Sequence, residues 1–340
     1  MTEVYPSSGT VALWTSPAFH EEVRGWVRAR AAAHGLELTG EWAQPHARLW
    51  SSALRFETTG GRIWFKVNGA GTGHEPALVR LLSARVPGLV PDVLAVDTER
   101  DWSLTRDGGP MLREVFTPDL SWKPWERLVV RYAEAQLTMA AEREAVLATG
   151  VRDVSPATVP GLARSLLEEL GGSSPEEGGL PEEDAARLAA ALPRLEAWCT
   201  ELRSSGIPSS VQHDDLHSGN VCWGGSVATA RFIDWGDASW GFPLATMLAT
   251  MNSLAFHAGV YVEGHPVDAP AVLRVRDAYL EPFTGFATRP ELVHLVEVAR
   301  RAGCVAKALV YRFALRGADA AAEAELGFPV RDWLLALLDE

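Results

Sequence analysis

The sequence predicts an α+β fold of two unequal lobes, with a small, strand-rich N-terminal lobe and a larger, mostly helical C-terminal lobe. The chain has 340 residues, which is more than one small core requires. Short strand patterns are concentrated before residue 107, whereas helical periodicity dominates after residue 122. The glycines and proline at 108–110 interrupt both patterns, so we predict an N-terminal lobe over residues 1–107 and a C-terminal lobe over residues 108–340.

The small lobe is predicted to open with a helix that is followed by strands. Ser16 is a favourable N-cap, Pro17 is a favourable first helical residue, and Gly35 is a favourable end. Two strands joined by a tight glycine turn are then predicted at residues 53–58 and 62–68. The lobe continues with a helix and two further strands, predicted at residues 74–84, 92–96 and 102–105.

The larger lobe is predicted to be helical on both sides of one strand-rich segment. Helices are predicted at residues 124–137, 160–170, 181–203 and from 244 onwards. A glycine- and serine-rich loop is predicted at residues 171–179. The strand-rich segment, residues 209–234, contains a dense group of polar residues between apolar strands, and the functional prediction depends on it.

Composition excludes several classes of protein. Hydrophobic residues make up 47% and charged residues 22% of the chain, which is ordinary for a soluble globular protein. No apolar run is long enough to span a membrane, and the polar first ten residues lack a signal pattern, so we expect a cytoplasmic protein without a membrane partner. The net charge of -13 makes nucleic acid an unfavourable partner. Three widely separated cysteines predict neither a disulfide framework nor a metal cluster.

The segment 211–223 contains residue types that phosphoryl transfer requires. A carboxylate must accept the proton of an attacking hydroxyl, and hard oxygen ligands must hold the magnesium ion that neutralises the phosphates of ATP. Asp215 and Asn220 lie between two apolar strands, and Asp234 ends a third, so we expect all three at one end of a small sheet. The spacing His213-x-Asp215-x-x-x-x-Asn220 also matches the catalytic loop of kinases. We predict Asp215 as the catalytic base, with Asn220 and Asp234 as magnesium ligands.

These residues resemble the signature of the aminoglycoside phosphotransferase and choline-kinase-like family, in the motifs His213-x-Asp215-Leu216-His217-x-Gly219-Asn220 and Ile233-Asp234-Trp235. The order of the predicted lobes agrees with that family over most of the chain. The resemblance implies a protein-kinase-like bilobal fold. It also implies an ATP- and Mg²⁺-dependent kinase that phosphorylates a small hydroxylated molecule.

A nucleotide-binding lysine is predicted on the second strand of the small lobe. Alternation along that strand places Lys66 on the face opposite the apolar residues, where it would face a cleft and hold the phosphates of ATP. The alternative is an edge-strand lysine that points to water. The resemblance implies a glutamate partner, for which Glu75 is the candidate, although the helix dipole alone also favours a glutamate in a first helical turn.

Other nucleotide contacts are predicted from the resemblance. The segment Thr105, Arg106 and Asp107 would meet adenine through backbone groups. The phosphate-covering loop is expected at residues 45–52 and lacks the glycines of the protein-kinase loop. Ser51 and Ser52, or Arg48, would therefore replace the backbone contacts.

Two further positions depart from the family pattern. Asp214 stands where glycine is usual beside the catalytic aspartate. Thr246 stands where an aspartate commonly braces the catalytic loop. The departures leave the predicted chemistry intact but leave the substrate open.

The acceptor site is predicted to include Asp237 and His217. An acidic segment, residues 165–184, would attract a cationic acceptor if it lay beside the cleft, but such stretches are usually solvated surface. The acceptor therefore stays a small alcohol that is either cationic or neutral, and the sequence predicts no oligomeric state.

Three alternatives remain open at this point. The polar residues of the strand-rich segment could cap turns. The chain could bind nucleotides without catalysis, although Lys66, Asp215, Asn220 and Asp234 are all present. A zinc or iron hydrolase could use His213 and His217 together with the aspartates, although the histidines lie on predicted strand and loop rather than on a helix.

Overall fold

The computed structural model describes residues 3–4, 9–115, 122–171, 179–261, 267–318 and 328–338. Nearly all of the predicted loop at residues 171–179 lies outside the described residues. Among the described helices, none combines the length and apolar character that crossing a membrane requires.

The small lobe is built on a six-stranded sheet with the order β1-β2-β3-β4-β6-β5. Neighbouring strands are antiparallel, except that β1 runs parallel to β2. The elements in chain order are β1 (Glu3–Val4), α1 (Gly9–Trp14), α2 (Pro17–Ala32), β2 (Leu38–Arg48), β3 (Ser51–Thr58), β4 (Gly61–Asn68), α3 (Glu75–Arg85), β5 (Val93–Asp97) and β6 (Trp102–Arg106).

Helix α2 begins as the sequence predicts. The Ser16 side chain accepts a hydrogen bond of 3.2 Å from the backbone N–H of Phe19, and Pro17 is the first helical residue. Its apolar face, which includes Val23 and Val27, is buried against the sheet residues Leu54 and Phe65 in the smaller of two hydrophobic cores.

The position of β4 decides between the two interpretations of Lys66. Residues Ile63, Phe65 and Val67 are buried in the core of the small lobe, so Lys66 lies on the opposite face. Strand β4 is hydrogen-bonded to both β3 and β6, where Lys66 is paired with Ala53 and Ser103. The alternative of an edge-strand lysine is therefore wrong.

The larger lobe is mostly helical and contains two small sheets. Strands β9 and β10 form one antiparallel pair, and β7, β11 and β8 form the other sheet in that order. The elements in chain order are α4 (Leu112–Val115), α5 (Trp122–Met139), α6 (Arg143–Ala148), β7 (Arg152–Val154), α7 (Val159–Gly171), α8 (Glu182–Ser204), β8 (Ser210–Gln212), β9 (Val221–Cys222), β10 (Arg231–Phe232), β11 (Ser239–Gly241), α9 (Met247–His257), α10 (Pro270–Leu280), α11 (Arg289–Ala314) and α12 (Phe328–Leu335).

The predicted α+β architecture of a strand-rich lobe and a helical lobe is confirmed. Each lobe has its own hydrophobic core, but Leu78 and Leu82 of α3 belong to the core of the larger lobe. This helix therefore connects the two lobes by packing as well as by the chain. The exact boundary, between residues 107 and 108, stays a prediction.

A buried histidine just before α3 predicts acid sensitivity. His74 is 7% exposed, and burial together with the nearby Arg152 and Lys66 cations lowers its pKa to about 4. Because the native pKa lies below the unfolded value, the stabilisation is present above pH 6.5 and is lost as the pH falls towards 4. We expect the free energy of unfolding to fall by about 2–3 kcal/mol between pH 7 and pH 4.5 through this group alone.

Urea denaturation at the two pH values measures this effect. His74→Gln should reduce the pH dependence by that amount, and the same change at the exposed His257 serves as the matched control. Equal pH dependence in wild type and His74→Gln would contradict the prediction.

Candidate active site

A cleft of about 710 Å³ lies between the sheet of the small lobe and the helical lobe. Residues from β3, β4, α3, β6 and the strand-rich segment of the larger lobe meet on its walls. Nearly all the site residues predicted from the sequence lie there, namely Ser51, Lys66, Glu75, Thr105, Arg106, Asp107, Asp215, His217, Asn220, Asp234 and Asp237. The structure thus brings the predicted residues together, while their individual roles stay predictions.

Lys66 connects the two lobes through ion pairs. Its Nζ lies 2.6 Å from Oε2 of Glu75 and 2.6 Å from Oδ1 of Asp234. Glu75 also accepts a hydrogen bond of 3.0 Å from the backbone N–H of Trp235. Burial alone would lower the pKa of Lys66, but the two carboxylates outweigh it and raise the pKa, so the lysine is charged.

Asp234 follows β10 in a left-handed backbone conformation, with φ of 64°. Burial opposes ionisation, but Lys66 outweighs it and lowers the pKa of the Asp234 carboxyl. The carboxylate is therefore ionised, and its side chain is 49% exposed towards the cleft.

The predicted catalytic loop, residues 213–220, is held by hydrogen bonds to neighbouring segments. The ring of His213 is buried, and its Nε2–H donates to the backbone oxygen of Ile233 at 2.7 Å. The backbone N–H of His213 donates to the Tyr132 hydroxyl at 2.9 Å. The backbone oxygen of Leu216 accepts from the Thr250 hydroxyl at 3.0 Å. His213 thus holds the loop against Ile233, which lies between β10 and Asp234.

Asp215 is held by three neighbours at the centre of the cleft. Its carboxylate lies 3.2 Å from Nε2 of His217 and 3.4 Å from Nζ of Lys307. The side-chain amide of Asn220 donates to the backbone oxygen of Asp215 at 2.9 Å. Burial would raise the pKa of Asp215, but Lys307 and His217 outweigh it and hold the pKa below its ordinary range. The carboxylate is therefore in the form that can accept a proton at neutral pH.

Asn220 and Asp234 fit a hard divalent cation. The amide nitrogen of Asn220 is turned towards Asp215, which leaves the amide oxygen for a ligand. Asn220 is paired through its backbone oxygen with Ile233, so it lies beside Asp234 across the β9–β10 pair. Amide and carboxylate oxygens are ligands that magnesium accepts.

The expectation that one small sheet carries all three residues was wrong in one respect. Asn220 precedes β9 and Asp234 follows β10, which are paired. Asp215 follows β8, which belongs to the other small sheet. Side-chain and loop contacts, rather than a shared sheet edge, bring Asp215 to the other two.

Two departures from the family pattern have structural explanations. Asp214 has φ of 60°, a left-handed conformation that glycine adopts freely and that aspartate tolerates better than most residues. Its carboxylate also accepts a hydrogen bond from the Ser239 hydroxyl. The Thr246 hydroxyl donates to the side-chain oxygen of Gln212 at 2.7 Å and accepts from the side-chain amide of Gln136 at 3.2 Å. At this position the structure therefore has a buried hydrogen-bond network of neutral groups instead of an aspartate.

The phosphate-covering segment differs from the prediction. Strand β2 continues to Arg48, so most of the expected loop is strand and only Leu49 and Trp50 form the turn. Ser51 lines the cleft, whereas Ser52 is fully buried, donates to the backbone oxygen of His46 at 3.0 Å and accepts from Gln44 at 2.8 Å. The prediction was therefore wrong for Ser52, because neighbouring residues of a strand point to opposite faces.

The adenine-contacting segment also requires a correction. Thr105, Arg106 and Asp107 line the cleft as predicted. The N–H groups of Arg106 and Asp107 are, however, bonded to the backbone oxygens of Asp92 at 2.8 Å and Arg62 at 3.1 Å. Contacts to adenine would therefore use carbonyl oxygens here, or Gly108, which also lines the cleft.

The acidic segment does not line the cleft in its described part, residues 165–171 and 179–184. Glu169 instead forms an ion pair of 2.5 Å with Arg312, and Asp184 forms one of 3.2 Å with Arg187. Glu176 and Glu177 lie outside the described residues.

The metal-hydrolase alternative finds no support in the site. Nε2 of His213 is engaged by a backbone oxygen, and the His217 ring faces Asp215. Within the described part of the chain, no three histidine, cysteine or acidic side chains are grouped as a metal site.

The sequence did not predict that Lys307 of α11 lines the cleft, nor that Arg113 and Glu114 of α4 do. Lys307 lies on the face of α11 that lines the cleft. Val310, Tyr311 and Ala314 follow it on that face at helical spacing. A charge inside the apolar run 305–310 was the available signal.

The fold and the cleft together define a class of protein. A small lobe with a central lysine–glutamate pair faces a helical lobe that carries an aspartate, an asparagine and a second aspartate, which is the arrangement of kinase-like phosphotransferases. Residues 72–246, just over half of the chain, match the phosphotransferase enzyme family (APH), and the chain belongs to this family.

Solved structures with the same fold are similar along most of this chain. The macrolide 2'-phosphotransferase MphH from Brachybacterium faecium is 21% identical, with a TM-score of 0.54 over 89% of this chain and 97% of its own. A choline/ethanolamine kinase family protein from Mesorhizobium loti is 17% identical, with a TM-score of 0.57 over 93% and 94%. Amicoumacin kinase hAmiN, in complex with AMP-PNP and Ca²⁺, is 12% identical, with a TM-score of 0.51 over 93% and 96%. No curated protein sequence matches significantly.

Proposed function

We propose that this protein is an ATP- and Mg²⁺-dependent O-phosphotransferase that phosphorylates a hydroxyl group of a small molecule. The observation that carries the proposal is the convergence of Lys66, Asp215, Asn220 and Asp234 on one cleft. These are the residue types that a phosphoryl-transfer site requires, and Lys66 is held in place by its two carboxylate partners.

Asp215 is the proposed general base. In the reaction, the acceptor hydroxyl gives its proton to the Asp215 carboxylate while its oxygen forms a bond to the γ-phosphorus, and the bond between that phosphorus and ADP breaks. His217 and Lys307 fix the orientation of the carboxylate, because each contacts one of its oxygens. The lowered pKa keeps Asp215 ionised, so it is ready to accept the proton at neutral pH.

The nucleotide would lie between the lobes. Lys66 would hold the α- and β-phosphates, while Thr105, Arg106 and Asp107 would surround adenine and Ser51 would lie near the phosphates. Asn220 and Asp234 would hold magnesium, which when bound neutralises charge between the phosphates. The presence of AMP-PNP and Ca²⁺ in the similar amicoumacin kinase structure supports a nucleotide with a divalent cation.

The acceptor is proposed only as a small alcohol. The names of the similar structures refer to a macrolide, to choline and ethanolamine, and to amicoumacin. These names do not indicate one common acceptor. Asp237 lines the cleft, and burial followed by repulsion from neighbouring aspartates raises its pKa to about 7. A cationic group on the acceptor would favour the ionised form of Asp237, so a cationic alcohol is the first class to test.

A screen of alcohols tests the proposal. Purified protein is incubated with ATP, Mg²⁺ and one acceptor at a time from the macrolide, aminoglycoside, amino-alcohol and sugar classes, and ADP release and the mass of the product are measured. We expect one class to gain a phosphoryl group. Tight nucleotide binding without phosphorylation of any acceptor would instead favour the catalytically silent alternative.

The metal site has its own test. We expect ATP at a hundredfold excess over its Kd to stabilise the wild type by about 2–3 kcal/mol with Mg²⁺ and by clearly less with EDTA. Asp234→Ala should lose most of the Mg²⁺-dependent increment in a thermal-shift assay, because it removes a hard oxygen ligand. The exposed Asp332→Ala is the matched control. A full increment in Asp234→Ala would place the metal elsewhere.

A further inference from the structure

Lys307 occupies an unusual position for a lysine. It lies on α11 with 6% of its surface exposed, in a helical stretch in which Val305, Ala306 and Ala308 are also buried. The same helix turns Val310 towards the cleft one turn later. Burying a charge is costly unless it is paired, so the position of this ammonium group requires a compensating interaction.

The compensating groups belong to the catalytic loop. Nζ of Lys307 donates to the backbone oxygen of Asp214 at 2.8 Å and to Oδ1 of Asp215 at 3.4 Å. A lysine ammonium has three donors, so these two contacts with described residues leave a third, and Lys307 lines the cleft in which Asp215 lies. Asp237, which lines the same cleft, is a further acidic group near Lys307.

The composition of the chain supports a specific need for lysine here. The chain has 31 Lys and Arg residues, of which only three are lysines, namely Lys66, Lys123 and Lys307. Lys123 is exposed, whereas the other two line the cleft. A compact ammonium group fits a crowded phosphate site as a point charge, which the planar guanidinium of arginine does not reproduce.

We propose that Lys307 is a second phosphate-binding residue, which donates its third N–H to the transferred phosphoryl group while it positions Asp215. The inference rests on the proposed function. The acceptor oxygen must lie within hydrogen-bond reach of Asp215 when it attacks the phosphorus, and Lys307 contacts the same carboxylate, so the phosphoryl oxygens come within its reach. Lys307 stays protonated throughout, because the acceptor proton goes to Asp215.

The short turn between β2 and β3 strengthens the case. A glycine-rich loop would cover the phosphates with backbone N–H groups, but the turn here consists of Leu49 and Trp50. Lys66 already forms ion pairs with Glu75 and Asp234. A cation on the helical lobe that lines the same cleft as Lys66 would therefore stabilise the charge that moves with the phosphoryl group.

Binding of two nucleotides tests this inference without an acceptor. We measure the affinities of Lys307→Met for AMP-PNP and ADP by calorimetry with Mg²⁺, with Lys123→Met as the matched control. We expect AMP-PNP affinity to fall about tenfold or more and ADP affinity to change less than about twofold, because only AMP-PNP has a γ-phosphate. Equal weakening of both nucleotides would overturn the inference, since it would show a structural role alone.

Two further outcomes separate this inference from the function it rests on. If wild type binds neither nucleotide, the proposed function fails and the inference fails with it. If Lys307→Met does not fold, Lys307→Arg is compared with wild type in the phosphorylation assay. A lower kcat with an unchanged acceptor KM supports the inference, and an unchanged kcat overturns it.

Discussion

Asp215→Asn is expected to reduce turnover by roughly a hundredfold or more, the usual scale for removal of a general base. The substitution keeps the size of the side chain and an oxygen that can accept the hydrogen bond from Lys307. It removes the negative charge and the ability to take the acceptor proton. Because Asp215 is proposed to contact the acceptor rather than adenine, the affinity for ATP should change by less than about threefold.

Single-turnover kinetics with a confirmed acceptor, together with calorimetry of ATP binding, measures both quantities. Asp332→Asn serves as the control, since Asp332 is exposed on α12. Near-normal turnover in Asp215→Asn would remove Asp215 as the base. A large loss of ATP affinity would instead indicate that the carboxylate mainly organises the nucleotide site.

Lys66→Met is expected to have the largest effect on stability and to weaken ATP binding severely. The side chain of Glu75 is 5% exposed, and its carboxylate loses its ion-pair partner when Lys66 is removed. Removing one partner of a buried ion pair costs about 3–5 kcal/mol, because the other charge is left without compensation. Burial already raises the pKa of Glu75, so protonation at lower pH should reduce the cost, and we expect a larger destabilisation at pH 8 than at pH 6.

A double variant separates the two effects. Lys66→Met with Glu75→Gln should recover most of the lost stability in urea denaturation, since the unpaired buried charge is gone. ATP binding should stay weak, because the phosphates still lack Lys66. Lys123→Met should change neither property. If the double variant bound ATP as tightly as wild type, Lys66 would have only a structural role.

Local patterns in the sequence were sufficient for most of the small lobe. Ser16 and Pro17 start α2 because their preferences concern the nearest turn of the chain. Alternation along β4 predicted that Lys66 lies opposite the apolar face, since side chains of a strand alternate between two faces. The spacing of the catalytic loop likewise predicted that Asp215 and Asn220 lie together, because only four residues separate them.

Contacts between distant segments could not be read from such patterns. Alternation could not say which of Ser51 and Ser52 faces the cleft, because that depends on how β3 packs in the sheet. The backbone N–H groups of Arg106 and Asp107 are taken by Asp92 and Arg62, which the local sequence does not indicate.

The sequence by itself therefore determined the family, the lobes and the chemical groups of the site, because short-range propensity and motif spacing encode them. Only the tertiary structure decided that Lys307 approaches Asp215 from 92 residues away and that the described acidic residues of 165–184 lie away from the cleft. The physical reason is that helix packing sets both positions. An apolar helix face specifies burial, but the partner it is buried against depends on the whole core.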